Sequence, residues 1–138
     1  MSMMTETAMA FFNACESGKG WHVCSQYCHA DAIFNVQAKS LEHFKTVKDY
    51  SESIPHLMTI LPDAHYELRN VATDTEQQTV LAFARFLGTH TGIDEPVAAT
   101  GKAISADYVF VMRLSDGKIA EVTKVWNDSY SSDQLGWS

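Results

Sequence analysis

The sequence predicts an α+β fold in which helices pack on one face of a curved antiparallel sheet. As far as Leu61, apolar residues repeat every three to four positions, which indicates amphipathic helices. From Ala64 the period changes to two, which is typical of strands. Near the end of the chain, Asp116-Gly117 joins two alternating runs, and Asp-Gly favours the tight turn of a hairpin. Helices followed by strands define the α+β class.

Length and composition suit one domain spanning residues 1–138. The net charge of −7 and the lack of a basic patch exclude nucleic acid as a partner. No apolar run approaches the roughly 20 residues that span a bilayer, so we expect no membrane segment. The first residues lack the features of a signal peptide, and we expect a cytoplasmic protein. Cys15, Cys24 and Cys28 lack CxxC spacing and are expected to be buried thiols.

Three helices are predicted in the first half of the chain. The first covers residues 4–16, with Ser2 or Thr5 as its cap and Gly18 beyond its end. A second, short helix is expected between 21 and 28. The third begins after Thr46 and runs to residue 61. Pro55 should kink or split it, with Ser53 as the cap of a second part.

Five strands follow from the alternating pattern. A short one is expected at 32–34, and a long one at 65–71. Residues 78–90 are apolar on both faces, which predicts a strand in the interior of the sheet. A loop at 92–99, containing Pro96, leads into the final hairpin, whose last strand extends to Asp128. A bare apolar sheet face is unstable in water, so we expect a homodimer through the sheet.

Three motifs carry a resemblance to a known family. They are Gly88-Thr89-His90-Thr91-Gly92 followed by Thr100-Gly101-Lys102, then Asp116 to Glu121 leading to Val125-Trp126-Asn127-Asp128, and finally Leu135-Gly136. Over nearly its whole length the chain resembles the SnoaL-like polyketide cyclases of the NTF2-like superfamily. The resemblance implies an NTF2-like/cystatin-like cone, in which the curved antiparallel sheet wraps around the N-terminal helices. It also implies an apolar pocket for a small hydrophobic ligand and an intramolecular aldol reaction without a cofactor.

The sequence departs from the family at the catalytic aspartate. Family members carry a stretch of the form E-H-W-D-x-W-D in the last strand, and residues 121–127 match it here. Val122 replaces the histidine and Lys124 replaces the aspartate. If the pocket face is kept, Lys124 and Trp126 point inward, and a desolvated lysine can act as a base or as an imine-forming amine. Alternatively, Lys124 is an ion-pair partner or is exposed to solvent.

Two further residues complete the candidate catalytic set of Lys124, Asp107 and His90. Asp107 stands where the family often has an arginine, and we expect it to pair with Lys124 across the hairpin. It would then be a general acid/base or a member of a surface pair. His90 ends a long strand, where it could transfer protons or stabilise a turn. The remaining histidines lack metal-binding spacing, so no metal site is expected.

Two classes of function remain open from the sequence. The first is a cofactor-free enzyme of the cyclase or isomerase type acting on a small apolar carbonyl compound. The second is a non-catalytic module for ligand binding or dimerisation that has lost the family's aspartate. The sequence leaves open whether residues 129–138 plug the cone or reach a partner subunit. The side chains expected to line the pocket are Trp126, Tyr27, Tyr50, Met58, Phe86, Tyr108 and Phe110.

Overall fold

A computed structural model of the protein describes residues 2–93 and 98–137. Within these residues, four α-helices and five strands follow one another, with one short 3₁₀ turn at Ser25–Tyr27. The helices are α1 (Met3–Glu16), α2 (Trp21–Cys24), α3 (Val47–Ile60) and α4 (Asp128–Leu135). The strands are β1 (Cys28–Val36), β2 (His65–Asp74), β3 (Thr79–Thr89), β4 (Ala103–Ser115) and β5 (Lys118–Trp126). The predicted α+β class is confirmed.

The five strands form one open sheet in the order β1-β5-β4-β3-β2. The pairs among β2, β3, β4 and β5 are antiparallel, but β1 runs parallel to β5. The prediction of a wholly antiparallel sheet is therefore wrong at this edge, and the expected short strand at 32–34 is nine residues long. A parallel pair needs a long connection, and everything from α3 to β4 lies between β1 and β5 in the chain.

Caps account for the helix ends. The Ser2 hydroxyl accepts a hydrogen bond from the Thr5 backbone N–H at the start of α1. Thr46 does the same for α3, as predicted. The predicted split at Pro55 is wrong, because α3 continues from Val47 to Ile60 with the proline exposed on its surface. Instead of starting a new helix, Ser53 donates to the Tyr50 carbonyl oxygen.

The core lies between α1, α3 and the inner face of the sheet. Along β4 every second residue from Ile104 to Leu114 is buried, as strand geometry requires. Phe12 of α1 packs edge-on against Phe110 at a centroid distance of 5.1 Å. Phe34 of β1 stacks on Tyr50 of α3 at 4.3 Å. These contacts fix α1 and α3 to the inner face of the sheet.

The last part of the chain differs from the prediction. Asp116 and Gly117 both have positive φ, so the hairpin turn is confirmed. β5 then ends at Trp126, and Asn127 caps α4 by accepting from the Tyr130 N–H. This terminal helix was not predicted. It packs against β4, and the predicted loop residue Pro96 lies outside the described residues.

In the described parts of the chain, no helix is both long enough and apolar enough to cross a membrane.

Candidate functional site

A cavity of about 290 Å³ opens between α3, α4 and the inner sheet face. Most of its lining is apolar, with contributions from α3, the 40–44 segment, β4, β5 and α4. The polar and aromatic side chains of the lining include Glu16, Tyr50, Phe86, Tyr108, Lys124, Trp126 and Trp137. A concave, mostly apolar space with a few polar groups is the usual form of a small-molecule site.

Strand register places Lys124 in this cavity. Lys124 pairs with Phe110 of β4, and Trp126 pairs with Tyr108, so all four side chains lie on the inner face of the sheet. The Lys124 Nζ lies 4.6 Å from the centroid of the Trp126 ring and 5.2 Å from those of Tyr50 and Tyr108. These distances allow cation–π attraction whenever the amine is protonated. The predicted inward direction of Lys124 and Trp126 agrees with this register.

Lys124 is the first member of a buried hydrogen-bonded chain. Its Nζ donates to the Tyr50 hydroxyl over 3.1 Å, and that hydroxyl donates to Glu16 Oε2 over 3.2 Å. Tyr50 is 1% exposed and Glu16 is 3% exposed, whereas Lys124 is half-buried and lines the cavity. The chain therefore connects an amine at the cavity wall to a carboxylate deeper in the protein.

Burial controls the protonation of this group. Loss of hydration lowers the pKa of Lys124, while the negative charge of Glu16 opposes the shift. Burial also raises the pKa of Tyr50 well above its ordinary value, and the charge of Glu16 adds to that effect. Tyr50 therefore stays a neutral hydroxyl that can accept from Lys124 and donate to Glu16.

The Tyr108 hydroxyl is a second polar group at the cavity. It is buried and has no hydrogen bond of acceptable geometry among the described residues. Burial raises the pKa of Tyr108, with a further contribution from the nearby charge of Glu16. An unpaired buried hydroxyl costs free energy, and a ligand oxygen in the cavity could satisfy it.

The structure does not bring Asp107 to this site. Asp107 pairs with Arg85 in the β3–β4 register, on the outer face of the sheet, and its Oδ1 accepts from Arg85 Nε over 3.0 Å. Its side chain is 49% exposed. The predicted pairing with Lys124 across the hairpin is wrong, because Lys124 faces inward opposite Phe110.

His90 is fully buried, but it contacts the C-terminal segment rather than the cavity. Its Nδ1 accepts from Trp137 Nε1 over 3.0 Å and from the Thr100 backbone N–H over 3.3 Å. The Thr100 hydroxyl donates in turn to the Leu135 carbonyl oxygen. These contacts hold the end of α4 beside the cavity, which agrees with the stabilising alternative for His90.

The predicted pocket residues divide into two groups. Tyr50, Phe86, Tyr108 and Trp126 line the cavity. Tyr27, Met58 and Phe110 do not, since they pack in or against the hydrophobic core next to it. The wall is completed by the α4 residues Ser131, Ser132 and Leu135 and by Trp137, which follows the helix, so the C-terminal segment borders the cavity of its own subunit.

Glu16 was missed by the sequence analysis. Glu16 is the last residue of α1, and a glutamate at a helix end is expected to be exposed to solvent. The signal that could have identified it is helical spacing, because Glu16 lies four residues after Phe12 and thus on the buried face. Over the described ranges, no cluster of three or more His, Cys, Asp or Glu side chains could hold a metal ion.

Comparison with known proteins identifies the family. The model of the SnoaL-like polyketide cyclase family matches residues 6–135. The chain belongs to this family. The comparison with curated proteins gave no match.

Several solved structures have the same fold. AclR, a proposed hydroxylase from Streptomyces galilaeus, is 19% identical with a TM-score of 0.76 over 99% of this chain and 88% of its own. IdmH, a proposed polyketide cyclase from Streptomyces antibioticus, is 17% identical with a TM-score of 0.75 over 96% and 98%. A SnoaL-like protein from Jannaschia sp. CCS1 is 16% identical with a TM-score of 0.75 over 99% and 93%. At these identities the likeness establishes the fold alone.

Proposed function

We propose that this SnoaL-like protein performs acid/base chemistry of the cyclase or isomerase type on a small hydrophobic carbonyl compound. The observation that carries the proposal is the Lys124–Tyr50–Glu16 chain at the wall of a mostly apolar cavity. Proton transfer next to a carbonyl group needs a site for the carbonyl oxygen and a group that accepts the proton. The cavity has candidates for both.

Lys124 and Tyr108 are the candidates for holding the carbonyl oxygen. Both side chains line the cavity, and the Tyr108 hydroxyl lies near Glu16 but makes no hydrogen bond of acceptable geometry within the described residues. Negative charge develops on a carbonyl oxygen when a proton leaves the adjacent carbon. Donors fixed before the reaction stabilise that charge strongly in a site with little water.

Glu16 is the candidate for the proton acceptor in place of the family's aspartate. Its carboxylate borders the cavity and receives a hydrogen bond from Tyr50. A proton that reaches Glu16 can return through Tyr50 to Lys124, because each neighbour in the chain is within hydrogen-bonding distance. The set thus has the two parts that ring closure or isomerisation by an enolate requires.

Deuterium exchange tests this proposal without knowledge of the natural substrate. Hydrophobic aryl ketones and 1,3-diketones are incubated with the protein in D₂O, and exchange next to the carbonyl is followed by NMR. We expect Glu16→Gln and Lys124→Met each to slow protein-dependent exchange about a hundredfold, the usual scale of general acid–base catalysis. Asp107→Asn is the control, since its side chain lies on the outer sheet face.

Exchange no faster than in buffer, with compounds that still bind the cavity, would contradict catalysis. The protein would then be a ligand-binding module. Equal exchange by wild type and Glu16→Gln would instead exclude Glu16 as the acceptor.

A homodimer through the sheet is part of the proposal. The outer sheet face carries an apolar patch that consists of Leu81, Phe83, Val109, Val111 and Val125. Val125 is 58% exposed. The ion pairs Arg85–Asp107 and Arg113–Glu121 lie on the same face. Covering such a patch by a second copy removes apolar surface from water. Sedimentation should give a dimer mass for wild type and a monomer mass for Phe83→Glu, and a wild-type monomer at high concentration would contradict this.

We also propose a cytoplasmic location, because Cys15, Cys24 and Cys28 all remain free thiols. Fractionation of the producing cells checks it.

A further inference from the structure

We propose that Lys124 forms a covalent imine with unhindered aldehydes or ketones that enter the cavity. The inference rests on the proposed function, in that it uses the same cavity and the same carbonyl class. It adds a covalent step in which the Lys124 nitrogen is the nucleophile.

The position of the amine supports this step. Lys124 lines the cavity, and among the described residues its Nζ donates one hydrogen bond, to the Tyr50 hydroxyl. The nitrogen must be unprotonated to attack, and burial among aromatic rings favours the neutral amine by removing hydration. Desolvation in an apolar pocket is one way in which enzymes activate a lysine to form a Schiff base.

The hydrogen bonds from Lys124 through Tyr50 to Glu16 can move the protons that the reaction requires. The amine nitrogen attacks the carbonyl carbon and a C–N bond forms. Its first proton passes through Tyr50 to Glu16, which borders the cavity and protonates the carbonyl oxygen to a hydroxyl. The second N–H proton follows the same route to that hydroxyl, the C–O bond breaks, water leaves and C=N forms. One amine and one carbonyl compound give one imine and one water, with no change in oxidation state. The distances of 3.1 Å and 3.2 Å suit this relay.

The surrounding rings can accommodate a cationic product. A protonated imine is a cation at the former Nζ position, where Tyr50, Tyr108 and Trp126 have their centroids within 5.2 Å. Aromatic faces attract cations, so the rings that surround the lysine also stabilise the iminium. An iminium withdraws electrons from the adjacent carbon. A proton there becomes more acidic, and Glu16 borders the same cavity to accept it.

The cavity lining defines the substrate class. The cavity has an apolar lining that includes Leu57, Phe86, Ile104 and Leu135. Lys124 contributes an amine to the same wall. The structure thus selects a compact hydrophobic aldehyde or ketone with its carbonyl group at the Lys124 end.

Reductive trapping tests the proposal. Wild-type protein is incubated with 3-phenylpropanal and cyanoborohydride, which reduces an iminium to a stable secondary amine. Intact mass and peptide mapping then locate the adduct. We expect one dominant adduct on Lys124, loss of that adduct in Lys124→Arg and its retention in Lys118→Arg, a control at the exposed hairpin turn. Tyr50→Phe should slow trapping at Lys124 about a hundredfold, because it interrupts the relay.

Competition with an alcohol and the pattern of labelling decide the proposal. Excess 3-phenylpropanol, which has the same shape but no carbonyl, should protect Lys124. The proposed imine is refuted if 3-phenylpropanol binds but the aldehyde labels only surface lysines and leaves Lys124 unmodified. Deuterium exchange that depends on Glu16 would then still support the proposed function. The absence of exchange, binding and trapping would refute both the proposed function and the imine on Lys124.

Discussion

Tyr50→Phe is the substitution that isolates the buried chain most cleanly. It removes only the hydroxyl oxygen, which accepts from Lys124 and donates to Glu16. The ring is retained, and with it the stacking on Phe34 at 4.3 Å and the edge contact with Phe110. The change in stability therefore reports the two hydrogen bonds rather than lost packing.

The expected cost follows from the two contacts. A hydrogen bond to a charged group contributes about 1.5 to 3 kcal/mol. Distances of 3.1 Å and 3.2 Å are long for this type, so the lower value applies to each. The free energy of unfolding should fall by about 3 kcal/mol. At about 2.1 cal/mol/K per residue, a chain of 138 residues should lose about 10 °C in Tm.

Urea unfolding followed by circular dichroism measures this loss. Tyr130→Phe is the matched control, because Tyr130 is 55% exposed on α4 and its change should stay within about 0.5 kcal/mol. A loss below about 1 kcal/mol for Tyr50→Phe, within the range of one ordinary hydrogen bond, would refute the bridging role of the hydroxyl.

Three further predictions concern Lys124, the outer sheet face and a glycine contact. Burial lowers the pKa of Lys124 below 10.5, so the unfolded state binds more protons than the folded state. The free energy of unfolding of wild type should therefore rise relative to that of Lys124→Met as the pH rises toward 10.5. A difference between the two proteins in urea unfolding that does not change with pH would contradict this. Asp107→Asn should cost about 0.5 kcal/mol in urea, since the pair with Arg85 is exposed, and a cost of several kcal/mol would oppose this. Gly92→Ala should cost about 3 kcal/mol, because its Cβ would overlap the Thr59 carbonyl oxygen. Gly101→Ala, with open space and positive φ, should cost about 1 kcal/mol, and equal Tm losses for the two would argue against the overlap.

Local patterns were enough to predict most of the fold. The switch from helical to alternating periods after Leu61 separates α3 from β2, and Asp116-Gly117 marks the hairpin whose residues both have positive φ. These features depend on neighbouring residues only. The parallel pairing of β1 with β5 could not be predicted in this way, because it joins residues about 90 positions apart, such as Phe34 and Val122.

The site was predictable only in part for the same reason. Alternation along β5 put Lys124 and Trp126 on one face, and the family resemblance implied that this face is the inner one, where both side chains lie. The partner of Lys124 depends on how α1 and α3 cross the sheet, which sequence patterns do not contain. Asp107 is near Lys124 in the hairpin but faces the other way, whereas Glu16 is distant in sequence and close through Tyr50.

We propose that Lys124 is a desolvated amine coupled to Glu16 through Tyr50. NMR titration of the labelled Lys124 side chain, in wild type and in Glu16→Gln, measures this coupling. We predict a pKa below 10.5 that falls further in Glu16→Gln, because burial lowers it and the Glu16 charge raises it. A pKa at or above 10.5 that does not respond to Glu16→Gln would contradict the account.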